Sequence, residues 1–217
     1  VLRGDVGVEE LRRVGAYLEA FHGAARDCLG GDPAGIMFSV RVYKERADFL
    51  RYAAALGAPN AESLYDPRQG ELVLCLEERP GTIWLQRALA HEFVHAYMDR
   101  VWKRTGPLWL AEGAAEYFSN FTLKDGRVEP GAPDRRALLL LEIDPPAPLK
   151  DFIRFGRDEM YGITYAHRYA QAWSLVHYLF SLPGGVQDLL MRGGPPEDLD
   201  RLEEGWRRHL NELQKAR

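Results

Sequence analysis

Cysteine is almost missing from this chain, with only Cys28 and Cys75 in 217 residues. Two thiols do not make a disulfide framework, so the fold has to rest on a hydrophobic core, and the redox compartment stays open. No stretch reaches the roughly 18–20 continuous apolar residues that a spanning helix requires, which excludes a membrane span within the chain. A basic excess is lacking as well. Lys and Arg number 28 against 32 Asp and Glu, for a net charge of -4, and no Lys/Arg run stands out. Without a basic field to meet a phosphate backbone, nucleic acid is disfavoured as a partner. Internal repeats and low-complexity tracts are absent, so the chain does not read as a repeat array. The amino terminus lacks a basic segment followed by an apolar one. The chain opens on Val1 rather than Met, however, which leaves room for an upstream signal. The expected location is therefore secreted or cell-envelope if a signal was removed, and cytoplasmic otherwise. Nothing in the composition sets an oligomeric state.

What is present suffices for a core: 46% of the residues are hydrophobic, enough for one compact domain over residues 1–217. Breakers divide it. Residues 8–29 read as a helix ended by Gly30-Gly31-Asp32-Pro33, and 35–43 as a strand in which Val40 and Val42 alternate with Arg41. A helix follows at 45–56, then a turn-rich stretch at 65–70 and an apolar strand at 71–76. Pro80-Gly81 opens a helix over 82–101, Gly106-Pro107 closes it, and a second helix starts near Leu108. Further on, Lys124-Asp125-Gly126-Arg127 suggests a hairpin turn, Leu138 to Leu141 fits a short strand or a buried helical turn, and Pro145-Pro146-Ala147-Pro148 marks a rigid loop. A helix at 164–182 and two more at 186–191 and 196–213, the last anchored by Trp206 and Leu210, complete an α+β reading. A mixed α/β part (1–80) precedes a helical pair (81–122) and a mainly helical remainder (123–217).

The chemistry is concentrated in that helical pair. Residues 91–95 read His91-Glu92-Phe93-Val94-His95, and Glu112 follows within Trp109-Leu110-Ala111-Glu112-Gly113-Ala114-Ala115-Glu116-Tyr117-Phe118. Residues four apart share a helix face, so both imidazoles can aim at one ion while Glu92, one step round, projects beside it. A short helix-to-helix reversal can carry Glu112 back to complete two His and one carboxylate. That set suits zinc and leaves a fourth position for water, the arrangement of a catalytic site. Glu116, one turn beyond Glu112, can hydrogen-bond the far nitrogen of a ligating imidazole.

HEFVH followed by WLAEGAAEYF resembles the gluzincin branch of the zinc metallopeptidases, and the resemblance continues into Tyr-Ala-Gln-Ala-Trp-Ser-Leu-Val-His-Tyr-Leu-Phe at 169–180. In size and pattern the chain is similar to the peptidase MA-like group, which pairs a short amino-terminal sheet with these motifs, over roughly residues 36–185. The resemblance implies a zincin-like fold, Zn2+ held by His91, His95 and Glu112, Glu92 as general base, and a peptide or protein substrate. In the aminopeptidase N-like family a tyrosine on a later helix donates to the reacting carbonyl oxygen; Tyr169 is the similar position here. Tyr165 shares its face and is the alternative donor, whereas His167, rotated about 200° from Tyr169, is a surface or packing residue. The strand at 71–76 would border the cleft, and an extended substrate would pair with its free edge. The Gly-x-Met-Glu-Asn segment with which aminopeptidases of this branch hold a free amine is absent between Ser39 and Ala90, which favours an endopeptidase. Two other readings stay open: a zinc hydrolase of a non-peptide amide, and a non-catalytic zinc-containing binding module, against which the base-like Glu92 argues.

Overall fold

The computed structural model describes residues 1–217 except 77–81, 104–105, 125–126, 185, 188, 190–197 and 217. The chain is α+β, about 60% helical, with a small mixed sheet. It divides into two compact units, Val1–Arg104 with Thr122–Glu129, and Thr105–Phe121 with Pro130–Arg217.

In the first unit β1 (Leu2–Gly4), α1 (Val8–Leu29), β2 (Ser39–Tyr43), α2 (Arg46–Ala55), β3 (Ser63–Asp66), β4 (Glu71–Cys75) and α3 (Thr82–Arg100) follow in order. The sheet runs β1-β2-β4-β3. Its first three strands are parallel and β3 is antiparallel to β4. All five residues of β4 are buried, as expected of an interior strand covered on both faces, and this is why Leu72-Val73-Leu74 reads as an unbroken apolar run. The free edge expected on this strand is therefore not there. β4 pairs on both sides, and among the described residues the open edge next to it belongs to β3, part of which had read as turn because Asp66 leads into Pro67 and Gly70.

Alternation along β3 assigns its side chains. Leu64 joins Phe49, Ala53, Val73 and Cys75 in a core cluster that includes α2, and Asp66 accepts from the Tyr52 hydroxyl at 2.7 Å. Ser63 and Tyr65 face the other way, onto α3. At the other end of β4, the buried Glu71 carboxylate accepts from Arg41 Nε at 2.8 Å and lies 3.1 Å from Arg3 Nε, so one acidic side chain joins three strands. Pairing on both oxygens is what makes such a buried charge tolerable. Gly30, with φ of 69°, ends α1 in the left-handed region that glycine adopts without steric cost. Its carbonyl accepts from Tyr97 on α3 at 2.9 Å. Cys28 and Cys75 are both free.

The hairpin strands β5 (Phe121–Lys124) and β6 (Arg127–Pro130) pair as a two-stranded sheet; the expected turn residues Asp125 and Gly126 lie outside the described residues. The second unit contains α4 (Leu108–Ser119), α5 (Arg135–Ile143), α6 (Leu149–Phe152), α7 (Arg157–Tyr161), α8 (Tyr165–Ser181) and α9 (Leu199–Lys215). The segment around Leu138 to Leu141 is helical, and Asp134 caps its helix by accepting from the backbone N–H groups of Arg136 and Ala137. Gln171, fully buried in α8, donates to the Ala147 carbonyl at 2.8 Å and accepts from its N–H at 3.1 Å. That pair of hydrogen bonds fixes the proline-rich loop. Trp206 donates to Ser174 Oγ at 3.1 Å, and Leu210 packs with Leu138, Leu141 and Trp173, so both expected anchors of the last helix are buried. Of the helix expected at 186–191, Val186, Gln187 and Leu189 are described and helical; residues 188, 190 and 191 lie outside the described residues, as does Pro196. Among the described residues no helix is long and apolar enough to cross a membrane.

Helices α4 and α8 approach closely because Gly113 has no side chain. A Cβ there would stand 2.4 Å from the Ala172 carbonyl oxygen and 2.6 Å from Val176. The contact sets the register between Glu112 and the start of α8.

Candidate functional site

Helix α3 is apolar nearly all round, with Leu85, Leu89, Phe93, Val94, Ala96, Tyr97 and Met98 buried. Its half-buried positions include Trp84, Ala88, His91, His95 and Asp99, a stripe at spacings of four, three, four and four. The two histidines therefore share the stripe that is neither core nor open surface. Their Nε2 atoms are 3.2 Å apart, with ring centroids separated by 4.9 Å. Two nitrogens bound at about 2.0–2.1 Å to one tetrahedral zinc stand about 3.3 Å from each other. The imidazole pair thus has the spacing of two ligands of one ion.

Glu92 is only 6% exposed. Ser63 on β3 donates its hydroxyl to Glu92 Oε1 at 2.8 Å, and on the same strand face Tyr65 donates to Asp99 Oδ2 at 2.6 Å. The edge strand thereby clamps α3 at two points. One of them is the carboxylate between the two histidines.

In the second unit the candidate residues are Glu112, Glu116, Tyr161, Tyr165 and Tyr169. Glu112 is 4% exposed, and its Oε1 accepts from the Tyr161 hydroxyl on α7 at 2.7 Å. Tyr169 on α8 lies beside it: burial first, and then the negative charge of Glu112, push its hydroxyl far above the usual tyrosine range. The ring of Tyr169 is edge-on to those of Tyr161, at 6.4 Å, and Tyr165, at 5.9 Å. Tyr165 is 53% exposed. Glu116 is half-buried, and its charge also raises Tyr169. His167 is buried and donates Nε2–H to the Asp144 carbonyl at 2.6 Å, a packing role on the side of α8 away from Tyr169.

Within the first unit the structure thus brings together His91, Glu92, His95 and Ser63, and within the second Glu112, Tyr161 and Tyr169. Ser63 and Tyr161 were not apparent from sequence. Ser63 carries no motif and adjoins a stretch dominated by turn residues. For Tyr161 a signal existed in the spacing Tyr161, Tyr165, Tyr169, but Gly162 interrupts the helix that would have made it meaningful.

Comparison with protein-family models and with curated proteins finds no match.

Proposed function

We propose that this protein is a zinc-dependent peptidase of the gluzincin type with a zincin-like fold. His91, His95 and Glu112, each offering one ligand atom, hold the ion, and Glu92 acts as general base. The observation that carries this reading is the 3.2 Å separation of the two Nε2 atoms flanking a buried carboxylate that is itself held by Ser63. The resemblance of HEFVH and WLAEGAAEYF to the gluzincin motifs supports it independently. A zinc ion bound there would supply a water acidified toward a pKa of about 7 and polarise a scissile carbonyl.

The rest of the chemistry falls to the chain. Glu92 takes a proton from the attacking water and delivers it to the leaving nitrogen, and Ser63, by occupying Oε1, fixes the plane of the carboxylate that does so. Tyr169, kept protonated by burial, donates to the developing oxyanion, a role worth on the order of 3 kcal/mol. Tyr165, half in solvent and edge-on to Tyr169, is the alternative donor. An extended peptide pairs with the open edge of β3, which supplies main-chain affinity with little sequence preference. The amine-holding segment of the aminopeptidases has no counterpart between Ser39 and Ala90, which favours internal cleavage over amino-terminal trimming.

The test is incubation of the zinc-loaded protein with a diverse peptide library, products read by mass spectrometry, with Glu92→Gln as the blank. Internal cleavages are expected from the native protein, and the variant should retain zinc while losing about 100-fold or more of the rate. Equal turnover in the variant would remove Glu92 as the base. No cleavage by protein confirmed to hold zinc would remove the peptidase reading.

A further inference from the structure

Tyr161 stands apart from the other tyrosines near Glu112. It closes α7, a helix of five residues bounded by Gly156 and Gly162, and its ring is 39% exposed. Yet its hydroxyl reaches a carboxylate that is almost wholly buried and 49 positions earlier in the chain, at 2.7 Å. On its other side the Arg157 guanidinium lies over the ring, 5.1 Å from the centroid. The ring is thus held between a cation and a carboxylate. An exposed tyrosine that served only packing would have no need to place its proton on Glu112.

We infer that Tyr161 is a positioning residue for the metal ligand Glu112: its hydroxyl fixes the carboxylate plane and directs coordination to a single oxygen. This rests on the zinc-site reading given above. A carboxylate has two oxygens and several lone-pair directions, and it binds a cation through one oxygen or both. A donated O–H on Oε1 holds that oxygen in a hydrogen bond and favours coordination through the other one alone. Such outer partners of a ligand orient it before the ion arrives, and their loss typically costs 10–100-fold in metal affinity. The half-buried Tyr169 also reaches this carboxylate with its hydroxyl, so Tyr161 is the more exposed of two donors that orient the ligand.

The test is metal binding by the full chain, read without any activity assay. Apo protein is titrated with Zn2+ against a chromophoric chelator, and separately with Co2+ while the visible d–d bands are recorded, for the native protein, Tyr161→Phe and Glu112→Gln. Phenylalanine keeps the ring under Arg157 and deletes only the donor, and circular dichroism checks that the fold is retained. The native protein and Tyr161→Phe are each expected to bind one equivalent of Zn2+, the variant 10–100-fold more weakly. The Co2+ bands of the variant should weaken as Glu112 begins to chelate through both oxygens and the tetrahedral site gives way to a five-coordinate one. A purely structural tyrosine would not move that spectrum. Zn2+ affinity within twofold of native and an unchanged Co2+ spectrum in Tyr161→Phe, with Glu112→Gln clearly weakened, would overturn the role of Tyr161 and leave the zinc reading standing. Failure of the native protein to bind Zn2+, or native affinity in Glu112→Gln, would remove the zinc reading and this inference with it.

Discussion

Glu92 has one named support, and it is testable. The Ser63 hydroxyl is a neutral donor to a buried carboxylate at 2.8 Å, a hydrogen bond of the charge-assisted kind that contributes about 1.5–3 kcal/mol. Ser63→Ala leaves the backbone pairing of β3 intact and frees Glu92 to rotate. The expected outcome is a fall in kcat/KM of about tenfold, corresponding to about 1.4 kcal/mol, with zinc content unchanged by metal analysis; equal kinetics would show that packing alone fixes Glu92. At this scale the sequence was legible where spacing carries chemistry. His91, Glu92 and His95 declare themselves because a helix turns 3.6-residue periodicity into a shared face. Ser63 and Tyr161 did not, since a hydrogen bond between residues 29 or 49 positions apart leaves no local pattern.

Helices α1 and α4 were readable as elements because their ends are marked: Gly30 and Gly31 after α1, Gly106 and Pro107 before α4. Strands were harder. β3 is four residues long and leads into a turn, so its strand half was masked by Asp66, Pro67 and Gly70, and the edge of the sheet was consequently assigned to its neighbour. Leu138 to Leu141 was ambiguous because four consecutive leucines have no period; packing of Leu138 and Leu141 against Trp173 and Leu210 settles it as helix. The approach of α4 to α8 gives the prediction that belongs here. In Gly113→Ala the new methyl meets the backbone of Ala172, which cannot rotate away, so the helices must separate. Stability should fall by about 1–3 kcal/mol in urea denaturation, and the Tyr169 hydroxyl should move relative to Glu112. An unchanged midpoint would mean that the interface has slack that the close contact does not suggest.

For the molecule as a whole, stability should depend on a pair of imidazoles away from the candidate site. His177 Nδ1 lies 2.8 Å from His209 Nε2, and His177 Nε2 lies 3.2 Å from the Gly131 carbonyl. A carbonyl only accepts, so His177 donates from Nε2, and in the neutral pair its Nδ1 accepts from His209. Protonating both rings would set N–H against N–H. Burial, and for His177 the charge of His209, lowers both pKa values from the ordinary histidine value; Glu212 acts in the opposite direction on His209. Trp173 and Tyr117 flank His177, and Tyr178 flanks His209. Because the folded values lie below the unfolded ones, the unfolded chain binds more protons as pH drops. The pair's contribution is complete above about pH 6.5 and is lost progressively below it. Urea midpoints measured from pH 8 to pH 5 should therefore fall in the native protein below about pH 6.5, and less steeply in His209→Gln. Identical slopes would exclude the pair as the source.

The strand order β1-β2-β4-β3 also has a consequence for how the chain is made. β3 emerges from synthesis before β4, yet β4 is its partner in the sheet. Until residues 71–75 have left the ribosome, Ser63 sits on a segment with nothing to pair against. Glu92 follows only after that. The carboxylate proposed as the base therefore acquires its support through a strand inserted out of turn, and a chain truncated after residue 70 would leave that strand without its partner and open to any other unpaired strand nearby.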